Sequence, residues 1–370
     1  MEAIVFCIFL LYFLFLVWSI WIWHSYPETR GASEYPSVSI LVAARNEEAH
    51  LPHLCQGLEN LSYPEKSLEI IFVDDFSEDG TLEVVLNYQK KSRFTVQALK
   101  SEKVSPTPKK NALQLAVRHA RGEVFLFTDA DCRVGENWVS HMVSLFQNPK
   151  VGLTFGPIRY SDASFLEKML SQEQAALLSS SLASICLHIP TMCNGANMAI
   201  RRTTFDAVNG FASTASSASG DDELLLHKVF KHNSQAIRFV KSTEAIVATE
   251  AAADWKSLYQ QRRRWAGKWE KYLLRRTKTF AFFIFLLHVS WLMLTLLGVL
   301  HLFPWHQVAA LWAAKAMSEG ILIAGVMRFL GKKINLWAFL ALQVVYSPYV
   351  VFFALISRKQ SFTWKGRTLK

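Results

Sequence analysis

The sequence has few cysteines, and their spacing excludes two common kinds of site. Only five of its 370 residues are cysteine, and none of them forms a CxxC pair. An odd number without paired spacing indicates neither a disulfide framework nor a zinc site. A reducing compartment follows. The chain also lacks an internal repeat, which argues against a secondary transporter.

Acidic residues are also in short supply. The chain has 30 Asp and Glu against 40 Lys and Arg, a formal net charge of +10. Such an excess is compatible with nucleic-acid binding, but here the basic residues cluster beside apolar segments, in "RRRWAGKWEKYLLRRTK", "RFLGKK" and the C-terminal tail. This placement favours an anionic membrane surface. We therefore predict contact with the bilayer and no nucleic-acid partner.

The N-terminal segment is apolar enough to cross a membrane. Ala3 to Trp23 carries no charge and is long enough for a hydrocarbon core of about 30 Å. A cleaved signal peptide would need a basic start and a small-residue cleavage site, which this segment lacks. The sequence thus predicts an uncleaved anchor.

Three further apolar segments lie near the C-terminus, at Thr279–Phe303, Trp305–Met327 and Ile334–Ile356. Within the second, Lys315 and Glu319 are four residues apart and are expected to pair on one helix face. Three full spans after a cytosolic domain would place the basic tail outside, against the positive-inside tendency. Either two or three of these segments cross, and the sequence leaves both open.

Between the membrane segments, short apolar strands alternate with amphipathic helices. The predicted strands are "SVSILVAA", "LEIIFVDD", "FTVQALK", "VFLFTDAD" and "GLTFGPI", and helices are expected near residues 47–60, 80–91, 109–120 and 136–147. This alternation predicts an α/β domain with a mainly parallel sheet. Ligands bind such sheets beyond the carboxyl ends of the strands.

Four aspartates stand at two of these strand ends. Asp129 and Asp131 are two residues apart, so on a strand they point to the same face. Such a pair can hold Mg²⁺ or Mn²⁺ beside a diphosphate, although a lone Asp-x-Asp is also common in solvated turns. Asp74 and Asp75 end another strand, where hydrogen bonds to a base or ribose are expected. Ser77 or Asp79 would cap the helix that follows.

Seven motifs together resemble a membrane-bound family 2 glycosyltransferase with the GT-A fold. They are, in chain order, "PSVSILVAARNEE", "VDDFSEDGT", "PKKNAL", "TDAD", "GANMAIRR", "GDDELL" and "QRRRW", the last matching QxxRW. The resemblance covers roughly residues 36–270 and includes ceramide and carotenoid glycosyltransferases and polysaccharide synthases. It implies a mixed, mainly parallel α/β sheet with flanking helices, joined to transmembrane helices at both ends.

The apolar segments, the strand–helix alternation and the resemblance together divide the chain into six parts. The expected parts are an anchor (1–24), a linker (25–36), a GT-A catalytic domain (37–250), an amphipathic interfacial region with QxxRW (251–278), a transmembrane region of two or three spans (279–357) and a basic tail (358–370).

Nucleotide and metal roles follow from the same resemblance. Residues expected around the nucleotide are Ala43, Arg45, Glu47, Asp74, Asp75, Lys109 and Asp129. In that set Asp75 reads the uracil and Lys109 approaches the phosphates. Asp129 and Asp131 would hold the divalent cation. Asn194 and Asn197 would line the acceptor side, although amides flanking a glycine are as often turn formers.

Asp222 is implied as the general base, with Asp221 as the weaker candidate. An acceptor hydroxyl is a poor nucleophile, so inverting transfer requires a carboxylate that takes its proton. Carboxylates at a helix start also act as N-caps, and the residues by themselves leave both roles open.

The motif "QRRRW" has two interpretations. Gln261, Arg264 and Trp265 share one helix face, where a guanidinium could bind diphosphate oxygens and an indole could shape the acceptor mouth. Alternatively, the segment is a basic helix lying on the membrane. In either case Arg262, Arg263 and Lys268 are expected to be freer to meet lipid headgroups.

Taken together, the sequence predicts an inverting glycosyltransferase of the hexosyltransferase type at a bacterial plasma membrane, with its catalytic domain facing the cytoplasm. The expected donor is a UDP-sugar, and the expected acceptor is a lipid or membrane-associated glycan. Two alternatives stay open. One is a processive polysaccharide synthase, and the other is a catalytically inactive membrane scaffold that binds a nucleotide.

Overall fold

The computed structural model describes residues 2–102, 107–212, 220–356, 362–364 and 367–369. The chain forms two compact units. The α/β unit comprises Pro27–Arg159, Met192–Glu250 and Ser361–Lys370. The helical unit comprises Met1–Tyr26, Tyr160–Thr191 and Ala251–Gln360. The chain therefore leaves the α/β unit and returns to it within the range 37–250.

Most strands are short and belong to the α/β unit. In chain order they are β1 (Val38–Ala44), β2 (Leu68–Asp74), β3 (Thr95–Lys100), β4 (Val124–Asp129), β5 (Leu153–Phe155), β6 (Ile158–Tyr160), β7 (Met198–Arg201), β8 (Ile237–Phe239), β9 (Val247–Thr249), β10 (Phe362–Trp364) and β11 (Arg367–Leu369).

The helices fall into a short and a long class. In chain order they are α1 (Glu2–Ser25), α2 (Leu51–Glu59), α3 (Thr81–Lys91), α4 (Pro108–His119), α5 (Trp138–Val143), α6 (Phe165–Cys186), α7 (Arg202–Ala207), α8 (Asp221–His232), α9 (Trp255–Ala266), α10 (Arg275–Val299), α11 (Trp305–Phe329) and α12 (Leu336–Ile356).

A seven-stranded sheet forms the centre of the α/β unit, in the order β3-β2-β1-β4-β7-β5-β8. β1 pairs in parallel with β2 and β4, whereas β7 runs antiparallel to both β4 and β5. β1 and β2 are apolar along almost their whole length because both faces of the sheet are covered. The predicted GT-A fold, with a mixed and mainly parallel sheet, is confirmed.

The strand register brings three predicted site segments to one sheet edge. Ala44 lies opposite Asp74 on β2, and Ala43 lies opposite Asp129 on β4. β1 is the middle strand of the three. The loop that follows it therefore lies between Asp74 and Asp75 on one side and Asp129 and Asp131 on the other.

Among the described residues of the helical unit, four helices are long and apolar enough to cross a membrane by length and composition: Val5–Ser25 within α1, and α10, α11 and α12. These include the predicted anchor and the three predicted C-terminal segments. The unit also contains α6, which sequence periodicity did not reveal. Its apolar residues are spread around the helix, and polar residues such as Gln172 and Glu173 are buried with them.

A buried polar cluster connects three of these helices. The Lys315 ammonium lies 2.9 Å from Glu319 Oε2 and 2.7 Å from Gln343 Oε1, which confirms the predicted pairing along α11. Gln343 Nε2 donates to Glu319 Oε2 at 2.7 Å, and the Tyr12 hydroxyl donates to Glu319 Oε1. Polar groups removed from water are satisfied here by one another, so the cluster holds α1, α11 and α12 together.

Candidate active site

Arg45 ties the loop after β1 to the loop after β2. Its buried guanidinium donates from Nη1 to the carbonyl oxygens of Asp75, at 2.8 Å, and Phe76. Nη2 lies 2.9 Å from Glu78 Oε1. Phe76 has a positive φ of 55°, a conformation that costs a non-glycine residue energy and persists only where contacts enforce it. Arg45 therefore holds the loop after β2 in place through the backbone of residues 75 and 76.

The two aspartates that end β2 are both buried, Asp74 at 7% exposure and Asp75 at 1%. Asp74 Oδ2 accepts from the Ser77 amide at 3.3 Å, while its Oδ1 has no hydrogen-bond partner among the described residues. A buried carboxylate oxygen with spare acceptor capacity at a strand end suits a ligand hydroxyl or amine. The backbone N–H of Asp75 donates to Ala44 at 2.8 Å, which joins the two strand ends.

Asp79, one of two predicted caps, binds the first residue of α3. Its Oδ1 accepts from the Thr81 amide at 3.1 Å and from the Thr81 hydroxyl at 2.5 Å. Its Oδ2 accepts from the Glu48 amide at 3.2 Å, and the Glu47 amide donates to the Thr81 hydroxyl at 2.7 Å. Desolvation raises the pKa of Asp79, but the hydrogen bonds from Thr81 and Glu48 together outweigh it and lower the pKa below the usual value.

Glu47 is buried, and its Oε2 lies 2.9 Å from His50 Nδ1. The structure thus assigns Glu47 an intramolecular partner close to the end of β1.

The aspartate that ends β4 faces a lysine. Lys109 Nζ lies 2.5 Å from Asp129 Oδ1, and the two side chains are 30% and 35% exposed. Lys109 stands at the start of α4, whose packing against β1 and β2 fixes its position. This ion pair remains accessible to a ligand, unlike the buried pairs of the helical unit. Lys109 and Asp129, both expected near the nucleotide, thus contact each other directly.

The donor set at this point consists of hard oxygens. Asp131 follows Asp129 in a turn closed by the Cys132 amide, which donates to the Asp129 carbonyl at 3.1 Å. Burial raises the pKa of the Cys132 thiol well above its usual value, and Asp131 and Asp129 raise it further, so this thiol stays protonated. Within the described ranges no group of three or more His, Cys, Asp and Glu side chains could hold a metal. Two carboxylates suit Mg²⁺ or Mn²⁺, which keep other positions for water and phosphate.

Asp222 contacts the glycine of "GANMAIRR". Its Oδ2 accepts from the Gly195 amide at 3.1 Å, and its Oδ1 accepts from the Glu223 amide at 2.8 Å. A Cβ on residue 195 would lie only 3.3 Å from the Cβ of Asp222, so glycine permits this approach. The carboxylate is half-buried and oriented by two backbone donors. Asp221 is the first residue of α8, and its side chain lies outside the described part of the chain.

The two predicted amides behave differently from each other. Asn194 Oδ1 accepts from the Ala196 amide at 3.0 Å and so caps the turn formed by Gly195–Asn197. Asn197 is completely buried, donates from Nδ2 to Pro157 and Ala245 at 2.8 Å each, and accepts from Trp138 Nε1 at 2.9 Å. Since its amide is fully bonded in the core, Asn197 supports the loop and does not present a polar contact to an acceptor, which corrects the expectation.

The QxxRW residues lie on α9 in the helical unit. Gln261, Arg264 and Trp265 are all half-buried, and α9 is capped by Asp254, whose Oδ1 accepts from the Ser257 amide at 2.7 Å.

The expectation that Arg262 and Lys268 meet lipid headgroups is wrong. Their side chains are only 5% and 8% exposed. Arg262 Nη2 lies 2.6 Å from Glu173 Oε2 on α6. Sequence reasoning missed Glu173 because its partner is 89 residues away and no local pattern links the two helices.

Comparison with known proteins identifies relatives. The family model described as Glycosyl transferase family 21 matches residues 2–370. A beta-monoglucosyldiacylglycerol synthase of Trichormus variabilis is 29% identical over 255 residues, which is 68% of this chain and 52% of that protein. A poly-beta-1,6-N-acetyl-D-glucosamine synthase of Staphylococcus epidermidis is 30% identical over 143 residues, 38% of this chain and 33% of that protein. The chain thus spans about half the length of the first of these relatives and about a third of the length of the second.

Among solved structures, the fold is similar to that of the mannosyltransferase PcManGT from Pyrobaculum calidifontis, determined in complex with GDP-Man and Mn²⁺. The TM-score is 0.59 at 20% identity, and the match covers 97% of each chain. At this identity the likeness shows the fold alone.

Proposed function

Since the chain belongs to glycosyl transferase family 21, we propose that it transfers a sugar, with inversion, from a nucleotide-diphosphate sugar to the hydroxyl of a membrane lipid. The observation that carries this proposal is the sheet register, which gathers the ends of β1, β2 and β4 at one edge with Asp74, Asp75 and Asp129.

Part of the sequence prediction is established. The chain is a glycosyltransferase with a GT-A fold and membrane helices, as predicted. The resemblance was to family 2, and the family that matches is family 21. The donor, the acceptor and the roles of individual residues belong to the proposal.

For the donor, we assign Asp74 and Asp75 to the base and ribose, and Lys109, Asp129 and Asp131 to the diphosphate. The buried Asp74 Oδ1 without a partner among the described residues supports a polar ligand there. Ala43 lies opposite Asp129 on the neighbouring strand, and this position supports its assignment to the nucleotide. Arg45 and Glu47 then fix the loops beside the nucleotide, Arg45 through its contact with the loop after β2 and Glu47 through its contact with His50.

Asp129 and Asp131 would hold a divalent cation, Mg²⁺ or Mn²⁺. When bound, such an ion neutralises charge on the diphosphate leaving group. PcManGT carries Mn²⁺ with its nucleotide sugar, which supports this assignment. Lys109, 2.5 Å from Asp129 Oδ1, supplies a second positive charge at the same place.

Asp222 is the proposed base. As the acceptor oxygen bonds to the anomeric carbon, its proton passes to the Asp222 carboxylate, and the bond from that carbon to the diphosphate oxygen breaks. The amides of Gly195 and Glu223 orient the carboxylate for this proton transfer. Attack opposite the leaving group inverts the anomeric configuration.

Gln261, Arg264 and Trp265 are assigned to the diphosphate and acceptor through the resemblance of QxxRW. Their half-buried positions on α9 leave parts of these side chains accessible. The helical unit supplies the membrane part, with four apolar helices. A lipid acceptor is supported by the relative whose name, beta-monoglucosyldiacylglycerol synthase, specifies a sugar on diacylglycerol.

Basic residues support an orientation in which the α/β unit faces the cytoplasm. Arg275, Arg276 and Lys278 begin α10, and Arg328, Lys332 and Lys333 lie at the junction of α11 and α12. Basic residues at helix ends favour the cytoplasmic side.

A donor panel tests the proposal. Membranes containing the protein are incubated with labelled UDP- and GDP-hexoses and Mn²⁺ or Mg²⁺, and label is separated into organic extract and high-molecular-mass precipitate. We expect label in the organic phase with the wild type and with Asp206→Asn, an exposed control, and at least about 100-fold less with Asp222→Asn.

One other function has an observation in its favour. The similarity to a poly-beta-1,6-N-acetyl-D-glucosamine synthase covers 38% of this chain, so a processive polysaccharide synthase is a second candidate. Label in long polymer would establish that function instead. Nucleotide binding without any transfer would favour the inactive scaffold.

A further inference from the structure

The buried face of α9 contains an arginine inside the QxxRW motif. Of the twelve residues of α9, the buried ones are Leu258 and Arg262, four residues apart and therefore on one face. A charged side chain at such a position is costly unless it is paired and hydrogen-bonded. Arg262 must therefore have an oppositely charged, hydrogen-bonded partner within the protein.

Glu173 on α6 supplies the opposite charge. Arg262 Nη2 donates to Glu173 Oε2 at 2.6 Å, and each side chain is 5% exposed. The other carboxylate oxygen, Oε1, accepts from the Tyr349 hydroxyl of α12 at 3.5 Å. Three helices of the helical unit, α6, α9 and α12, thus meet at this ion pair.

Arg262 also stacks on the motif's tryptophan. Its Cζ lies 4.1 Å from the ring centroid of Trp265. Nε and Nη1 have no hydrogen-bond partner within the described part of the chain, so the planar face of the guanidinium accounts for much of its contact. Arginine is suited to this arrangement because its planar cation is weakly hydrated and stacks on aromatic rings, whereas the lysine ammonium is compact and strongly hydrated.

From this geometry we propose that Arg262 is a positioning residue for transfer, held by Glu173 and in turn setting the orientation of the Trp265 indole. The proposal rests on the proposed function, in which Trp265 shapes the acceptor mouth. It assigns a role to a position between the defining residues of QxxRW, where the motif specifies no residue type. Glu173 acts one step further away, since it fixes the guanidinium and not the indole.

A double-mutant cycle tests this role. Arg262→Lys, Trp265→Phe and the double variant are compared with the wild type for kcat/KM toward the lipid acceptor and for KM toward the donor. We expect each single variant to lower acceptor kcat/KM by about 10- to 100-fold, the range for a misplaced contact. The double variant should be no worse than the poorer single variant, since both changes disrupt one arrangement. The donor KM should stay unchanged.

Arg118→Lys provides the matched control, because Arg118 is 58% exposed in a loose pair with Glu102 at 3.6 Å. Combined with Trp265→Phe it should give additive effects. All rates are expressed per folded molecule, measured by monodisperse size-exclusion profiles. Glu173→Gln replaces Arg262→Lys in the cycle if the lysine variant does not fold.

The possible results distinguish a failure of the positioning role from a failure of the proposed function. Full acceptor kcat/KM in the Arg262 or Glu173 variant, or strict additivity with Trp265→Phe in an active enzyme, would overturn the positioning role and leave the proposed function intact. Absence of transfer by the wild type would overturn the proposed function and this role together.

Discussion

The Lys109–Asp129 ion pair of the α/β unit and the Arg262–Glu173 ion pair of the helical unit lie in opposite environments. At the sheet edge of the α/β unit, Asp129 and Lys109 are 35% and 30% exposed although they lie 2.5 Å apart. In the helical unit, Arg262 and Glu173 are each 5% exposed, and Lys315 is 1% exposed. Both arrangements contain close ion pairs, but only the first leaves the charges open to a ligand.

This difference in exposure distinguishes ion pairs that can bind a ligand from ion pairs that hold helices together. A charge that a ligand must neutralise has to stay accessible, whereas a charge that joins helices in an apolar surrounding has to be enclosed and satisfied. The same rule holds within the α/β unit, since Arg45, whose role is to connect two loops, is also buried. Four predictions test the comparison, in order of decreasing effect.

The largest effect is expected at Asp222. Asp222→Asn keeps the shape and removes the proton acceptor, so kcat should fall by about 10²- to 10⁴-fold, the usual contribution of general base catalysis. The measurement is initial rate of transfer to lipid at saturating donor. Asp206→Asn should retain the wild-type rate. An Asp222→Asn variant with full activity would show that this carboxylate is only a helix-start residue.

The next effect concerns stability. Glu173→Ala leaves the Arg262 guanidinium buried without its partner, which should cost about 3–5 kcal/mol of unfolding free energy. Thermal unfolding in detergent should show a clearly lower midpoint. Glu102→Ala, which breaks the exposed pair with Arg118, should barely change it. Equal shifts in the two variants would contradict the contrast between enclosed and open pairs.

A smaller effect is expected at the cation site. Asp131→Asn removes one of two carboxylates, so the Mn²⁺ concentration for half-maximal activity should rise by at least about tenfold. Titration of Mn²⁺ at fixed donor measures this shift. Glu136→Gln, an exposed acid a few residues further on, is the control and should leave the titration unchanged. An unaltered Mn²⁺ requirement in Asp131→Asn would remove Asp131 from the site.

The smallest effect is expected at Gly195. In Gly195→Ala the new Cβ would lie 3.3 Å from the Asp222 Cβ, so the carboxylate must shift by a few tenths of an ångström. We expect kcat to fall by about 2- to 10-fold, since small misplacements cost rate. Gly135→Ala, whose Cβ would meet its nearest neighbour at 3.9 Å, should have no effect. Identical rates in both variants would mean that Gly195 does not orient Asp222.

The sheet and its edge were predictable because strand patterns are local. The strands around β1, β2 and β4 are apolar runs that end in polar residues, and parallel pairing brings those ends together. The Lys315 and Glu319 pair was equally predictable, since both residues lie on one helix.

Long-range pairing explains what the sequence did not reveal. Glu173 and Arg262 are 89 residues apart, and α6 has no apolar stripe that would mark its buried side. For the same reason the sequence places Arg262 at the headgroups: its basic neighbours in "QRRRW" indicate a common exposure, whereas in the structure Arg262 is the buried one of the three arginines. The core role of Asn197 is likewise not predictable, because its partners Pro157, Ala245 and Trp138 are distant in sequence.

The most direct test of inverting transfer with Asp222 as base is the anomeric configuration of the lipid product. The protein is given an α-configured nucleotide sugar and native lipid, and the purified glycolipid is analysed by proton NMR for the coupling between the first two sugar protons. We predict a β-linked product. An α-linked product would contradict single-step inversion and the role assigned to Asp222.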